Sequence, residues 1–241
     1  MKNNPLIHIE KFPKKRNELS NEFKDIYQKI YLDNREGVGL GNKISQLSEG
    51  WAHKIIEKKY NFIQNSKCLE IGAGNLNHIP YNTNFNEQYD IVEPEKWFYQ
   101  DSPNLKRLNN IYSNIYSISS NLKYDRIFSI MVLEHILDLP DLIKKSISLL
   151  KRGGLFQVAI PCEGELAWYL AWRLGTSSTF WLKYKKNWGE MIRYEHVNNL
   201  EEIQSLINYY FGNIKIIRSP IPFLLNKKHF SFYAYLEAIK Y

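Results

Sequence analysis

Residues Lys67 to Gly74 read KCLEIGAG. A short apolar run closing on an acid-x-Gly-x-Gly turn (Glu70, Gly72, Gly74) has the pattern of a buried strand entering a glycine turn. Glycine there lets the backbone reverse tightly and lets a ligand approach it closely. No Gly-Lys-Ser/Thr follows, so this is not a Walker A loop, and the third glycine position of a dinucleotide fingerprint is not met. Glu93 ends a second strand-like run, YDIVEP, 23 residues after Glu70. In doubly wound folds an acid about 20 residues on, at the tip of the second strand, bonds ribose hydroxyls. A carboxylate suits a vicinal diol because it accepts two hydrogen bonds. The Gly-x-Gly alone reads more readily as a packing turn, and Glu93 alone as a solvated loop acid. Their spacing predicts an adenosine-bearing ligand at the carboxyl ends of the first two strands.

Outward from this stretch, YDRIFSIMV reads as a third strand and LFQVAIP as a fourth. Between them Ile143, Ile147 and Leu150 keep helical spacing from Pro140, with Gly153 and Gly154 as the expected helix stop. Strands alternating with helices predict a parallel sheet with crossovers. From Cys162 to about Val197 the rhythm breaks: Trp168, Trp172, Trp181 and Trp188 mingle with Arg173, Lys183, Lys185, Lys186 and Arg193. It resumes with a helix expected to open at Asn198, with Glu201 in capping-box spacing. IKIIRS, a break at Pro220 and Pro222, and a final strand HFSFYAYLEAI follow. Upstream, Leu19, Phe23, Ile26, Tyr27, Ile30 and Tyr31 share one helix face. GVGLG (Gly37, Gly39, Gly41) breaks that helix, and Ile44, Leu47, Trp51, Ile55 and Ile56 stripe a second.

Composition bounds the function. The chain has 241 residues, 44% apolar and 24% charged, enough for a sizeable core and against whole-chain disorder. No apolar run approaches the roughly 20 residues of a membrane helix, and the N-terminus has no apolar signal core. Cys68 and Cys162 cannot build a disulfide framework or a zinc site by themselves, so the cytoplasm is expected and no metal is. A net charge of +7 permits an anionic substrate without demanding nucleic acid.

In this order the segments resemble the class I S-adenosylmethionine-dependent methyltransferases, particularly the broad small-molecule type 11 group. CLEIGAG resembles the glycine motif and VEP the second-strand acid. KYDRIFSIMVLEHILD resembles the fourth-strand segment with Glu134-His135 just past its end. LLKRGGLFQVAIP and RYEHVNNLEEIQSLI resemble the fifth-strand and last-helix segments. The resemblance implies an α/β fold: a Rossmann-like seven-stranded sheet, mostly parallel with an antiparallel last strand and helices on both faces. It divides the chain into an N-terminal helical cap (1–65) and a methyltransferase domain (66–241), interrupted by the aromatic and basic insertion at about 162–197. It implies S-adenosyl-L-methionine as cofactor, held by Glu70, Gly72, Ala73, Gly74, Glu93, Pro94, Ser113, Asn114 and Met131. Family members often carry an acid after the third strand to read the adenine amine. Here Ser113 or Asn114 does that, or the backbone alone.

Methyl transfer needs alignment, exclusion of water and sometimes a base. His135 and His196 are the candidate catalytic residues, each also readable as a structural residue at the rim or the helix entry. Tyr27 and Tyr31 read as core and His53 as packing. The Trp-rich insertion is expected to roof the acceptor, its basic residues suiting an anionic or sugar-linked small molecule. A plain hydrophobic cap is the equal alternative, and docking at a membrane interface a weaker one. The expected function is methyl transfer to oxygen or nitrogen of a small molecule, such as a sugar or a cell-surface or secondary-metabolite precursor. An RNA acceptor and a non-catalytic binding subunit are the alternatives. A homodimer is compatible with the sequence.

Overall fold

The computed structural model describes residues 9–16, 18–26, 50–61, 63–84, 86–163, 169, 173, 177–219 and 231–241. Seven strands form one sheet: β1 Lys67–Ile71, β2 Gln88–Val92, β3 Leu108–Tyr112, β4 Tyr124–Ile130, β5 Leu150–Pro161, β6 Ile214–Arg218 and β7 Tyr233–Ile239. Their order is β3-β2-β1-β4-β5-β7-β6. The pairs from β3 through β5 are parallel, and β7 runs antiparallel to both β5 and β6. The order reverses between β1 and β4, and a crevice at the carboxyl ends of strands at such a switch point is where open α/β sheets bind ligands.

The two faces of the sheet carry separate cores. Leu69, Ile71, Ile127, Phe156, Val158 and Leu236 face the helices Leu139–Leu149 and Leu200–Phe211. Tyr89, Ile91, Phe128, Ala159 and Tyr235 face the helix through residues 50–58 and the loop carrying Ala73, Leu76 and Ile79. Helices therefore cover both faces. Central strands bury both sides, which is why they read as continuous apolar runs. On the second face Arg126 is fully buried. It bonds Glu87 at 2.7 Å and pairs with Glu57 of the 50–58 helix at 2.8 Å.

Three sequence expectations change. Strand β3 (LNNIY) escapes the pattern reading because it is a sheet edge with three exposed central residues and two asparagines. Its polar side chains stitch the edge: Asn109 Oδ1 accepts from the Tyr89 amide at 2.7 Å, and Asn110 donates to Asp90 at 2.9 Å. Gly153 and Gly154 do not stop the preceding helix. That helix ends at Leu149 because Leu150 turns extended and begins β5, and the glycines lie where β5 shifts register against β4. The capping box is real but one residue later: Asn199 is the N-cap and Glu202 its reciprocal partner. Asn198 has turned inward.

Of the N-terminal helices, residues 21–26 and 50–58 are helical. Tyr27, Ile30, Tyr31, the GVGLG break, Ile44 and Leu47 lie outside the described residues, as do Trp168, Trp172, Pro220 and Pro222. Leu19 and Phe23 pack against Phe180 and Met191 in a small separate core. The N-terminal segment thus meets the helices Ser177–Tyr184 and Trp188–Glu195 that follow β5.

Candidate active site

The glycine turn after β1 has almost no freedom. The Gly72 amide donates to the Val92 carbonyl at 2.8 Å. Gly72 is at φ 73°, and a Cβ there would lie 2.4 Å from Val132 Cγ2. Only glycine lets this turn lie against the loop that leaves β4. Gly74, at φ 50°, has open space where a Cβ would stand. Its amide donates to Glu93 Oε2 at 2.8 Å, and the Glu95 amide donates to Glu93 Oε1 at 3.1 Å. Burial raises the Glu93 pKa, while these two amides oppose the rise. Each carboxylate oxygen keeps a second lone pair, so the carboxylate is fixed in orientation and still able to accept from a diol.

A cavity of about 280 Å³ is lined by Val92 and Pro94, the residues on either side of Glu93, while Glu93 and Gly74 themselves are not in its lining. Ile71, Val92, Ile115 and Leu142 supply its apolar lining, and Gly72, Pro94, Ser113 and Asn114 border it as well. Asn114 Oδ1 already accepts from the Tyr116 amide at 2.8 Å, which caps the turn Ile115–Ser117 and commits one lone pair. A mostly apolar cavity with a polar edge, next to an oriented carboxylate and a glycine turn, fits an aromatic base joined to a sugar diol.

The other expected cofactor residues lie around this cavity rather than in its lining. Glu70 is buried beneath the turn and accepts from the Tyr89 hydroxyl at 2.6 Å, and burial raises its pKa. Ala73 packs into the second core. Met131, at φ 56°, donates its amide to Ala159.

A second group gathers on the loop after β4. The Asn198 amide nitrogen donates to the carbonyls of Leu133 (2.8 Å) and Ile136 (2.7 Å), holding the turn Leu133–His135 in place. The backbone amides of Val197 and Asn198 both donate to the Glu134 carbonyl. These bonds bring His135 and His196 together, edge to face with ring centroids 4.7 Å apart. His135 Nδ1 is 2.9 Å from the Glu195 carbonyl. Burial, then His196, lowers the His135 pKa to about 4. His196 Nδ1 bonds Glu163. Burial would lower its pKa, but Glu163, Glu134 and Glu195 outweigh this and raise it. Glu134 is buried, which raises its carboxyl to about 7, and its Oε2 has no hydrogen-bond partner.

Sequence reasoning finds both histidines and passes over Glu134 and Glu163 as chemistry. Glu134 immediately before His135 at a strand exit is the one local signal. Glu163 becomes relevant only through contact with a residue 33 positions away. In the segment after β5, Lys186 pairs with Glu22 at 2.7 Å and Lys185 lies over the Trp181 ring. His53 stacks on Tyr81.

Residues 44–209 match the family described as methyltransferase domain. No curated protein matches the sequence. Several solved structures share the fold. The plantazolicin methyltransferase BpumL, in complex with a monoazolic desmethylPZN analog and SAH, aligns at 15% identity and TM-score 0.61 over 98% of this chain and 99% of that one. A Thermotoga maritima protein described as a possible histamine N-methyltransferase aligns at 16% identity and TM-score 0.56, over 91% of this chain and 97% of its own. Phosphoethanolamine N-methyltransferase 2 of Haemonchus contortus, in complex with S-adenosyl-L-methionine, aligns at 14% identity and TM-score 0.54 over 79% of this chain. The aligned part is 52% of that protein's chain, about half its length. No helix among the described residues is long and apolar enough to cross a membrane.

Proposed function

This chain belongs to the methyltransferase domain family, and from that membership we propose that it moves a methyl group from S-adenosyl-L-methionine to an oxygen or nitrogen of a small molecule. The observation that carries the cofactor assignment is Glu93, whose two oxygens are each fixed by a backbone amide beside the apolar cavity. The sulfonium of S-adenosyl-L-methionine supplies an already activated methyl group. The chain's own residues then have three tasks. Glu93 accepts from the ribose hydroxyls, and the apolar lining with Ser113 and Asn114 receives the adenine. The turn Glu70 to Gly74 orients the amino acid end, with Glu70 acting from below through the turn it supports. The loop Val132–His135 and His196 face the acceptor and fix its polar atom. Alignment of this kind is worth up to roughly 7–11 kcal/mol, so no conspicuous base is required.

In this reading the acceptor end lies by the loop after β4, and the segments 18–26 and 177–195, which pack on one another, act as a cap over it. The basic residues of that cap support an anionic or sugar-linked acceptor. Two free, buried cysteines suit a cytoplasmic enzyme. Calorimetry with S-adenosylhomocysteine tests the cofactor reading: one site per chain is expected, and no heat at millimolar ligand overturns it. Transfer of a labelled methyl group to a panel of small hydroxyl and amine acceptors, with RNA as the contrasting acceptor, tests the substrate class.

A further inference from the structure

We propose that Glu134, His135 and His196 form a binding site for one divalent first-row transition-metal ion. One ligand atom from each residue lies within 4.8 Å of the others. Two come from the turn after β4 and the third from the end of the helix Trp188–Glu195, so the fold itself assembles the trio. Metal bonds of about 2.0–2.2 Å set neighbouring donors about 3–3.6 Å apart. The trio therefore closes on an ion by about an ångström.

Glu134 Oε2 is the independent observation. It is a buried carboxylate oxygen with no hydrogen-bond partner, and a buried polar atom in that condition is costly, more so when charged. The pairing of His196 with Glu163 does not relieve it. An ion held between the three residues does.

The histidine tautomers fit the same reading. The Glu195 carbonyl beside His135 Nδ1 is acceptor-only, so Nδ1 carries the proton and Nε2 the free lone pair. His196 Nδ1 is likewise directed at a carboxylate, that of Glu163. Metal-ligating histidines characteristically donate their other ring nitrogen to a carboxylate or backbone carbonyl, which fixes the ring and raises its basicity. Here both do. The Glu195 carboxylate is also within 3.5 Å of His135 Nδ1. Arg16 bonds the His135 carbonyl, and Lys14 bonds the Val197 carbonyl and pairs with Glu202. Among the described residues, the carboxylates of Glu134, Glu163 and Glu195 gather at the two rings, while Arg16 and Lys14 are held by backbone carbonyls of the neighbouring loops.

Two imidazoles and one carboxylate suit zinc, cobalt, manganese or iron(II) rather than the all-oxygen cages of calcium or magnesium. Three protein ligands leave positions open. In the methyl-transfer reading, on which this role rests, an acceptor oxygen or nitrogen occupies one of them and is held at the mouth of the crevice.

The test needs no cofactor. Chelator-treated protein is titrated with cobalt(II) under visible spectroscopy and with zinc by calorimetry. One ion per chain is expected. Glu134→Gln and His196→Asn should abolish binding, and Glu163→Gln, which only orients a ligand, should weaken it by about 10–100-fold. X-ray absorption of the zinc-loaded unaltered protein should show two imidazole nitrogens, a readout that does not depend on any variant folding. The proposal is overturned by no cobalt or zinc uptake at millimolar ion, by undiminished uptake in a folded Glu134→Gln, or by fewer than two imidazoles at the metal. S-adenosylhomocysteine binding without metal uptake sinks this inference alone. Metal uptake without any methyl transfer sinks only the enzymatic reading.

Discussion

At the scale of single residues, the two glycines of the turn make opposite predictions. A side chain at Gly72 meets the branched Val132 within 2.4–2.8 Å at a backbone angle unfavourable to L-residues. Gly72→Val should therefore abolish binding of S-adenosylhomocysteine and lower the melting temperature. Gly74→Ala meets no protein atom and carries only backbone strain of about 1–2 kcal/mol. It should fold, and calorimetry should give a loss of affinity larger than its loss of stability if the ligand passes over that position. Equal losses would mean that it does not. Glu93→Ala removes a charged acceptor from both amides and from the proposed diol. Hydrogen bonds to charged groups are worth about 1.5–3 kcal/mol, so affinity should fall by about 10–150-fold, and an unchanged dissociation constant would refute its assigned role. These residues are legible in the sequence because a glycine turn and a strand-end acid are local features at a readable spacing. Glu134 and Glu163 are not, because what distinguishes them is a buried oxygen lacking a partner and a contact made across the fold.

At the scale of elements, the loop after β4 is only as well placed as Asn198 makes it. The sequence marks this asparagine as a helix cap, because cap and clasp use the same residue type. Only the structure separates Asn199, which caps, from Asn198, which donates to two loop carbonyls. Asn198→Ala should cost about 1–3 kcal/mol in urea unfolding. Asn198→Asp should cost more, because it turns both donors into acceptors facing carbonyl oxygens. If the aspartate variant is the more stable of the two, the clasp is wrongly assigned. Strands β1, β2, β4 and β5 are readable because burial on both faces enforces apolar runs. The edge strand β3 is stitched by a hydrogen bond that Asn109 accepts and one that Asn110 donates, which leave no apolar pattern.

At the scale of the whole molecule, the second face of the sheet is locked by buried polar contacts, and these set a pH dependence. His53 Nδ1 lies 3.1 Å from His78 Nδ1. Burial, then His78, lowers the His53 pKa from 6.5 to about 4. Between those values the unfolded chain takes up a proton that folded His53 refuses. Stability should therefore be full above pH 6.5 and fall as pH drops toward 4, with this residue responsible for at most about 3 kcal/mol. Urea unfolding across that window should show a shallower slope for His53→Gln, and an identical slope would rule the residue out. The sheet order, the crevice at its switch point and the oriented Glu93 all serve one account, in which an adenosyl cofactor lies at the carboxyl ends of β1 and β2. A crystal structure with S-adenosylhomocysteine tests it most directly. The account predicts the adenine between Val92 and Ile115 and the ribose hydroxyls within hydrogen-bond distance of both Glu93 oxygens. A ligand bound elsewhere, or bound in the cavity with Glu93 turned away from the sugar, would contradict it.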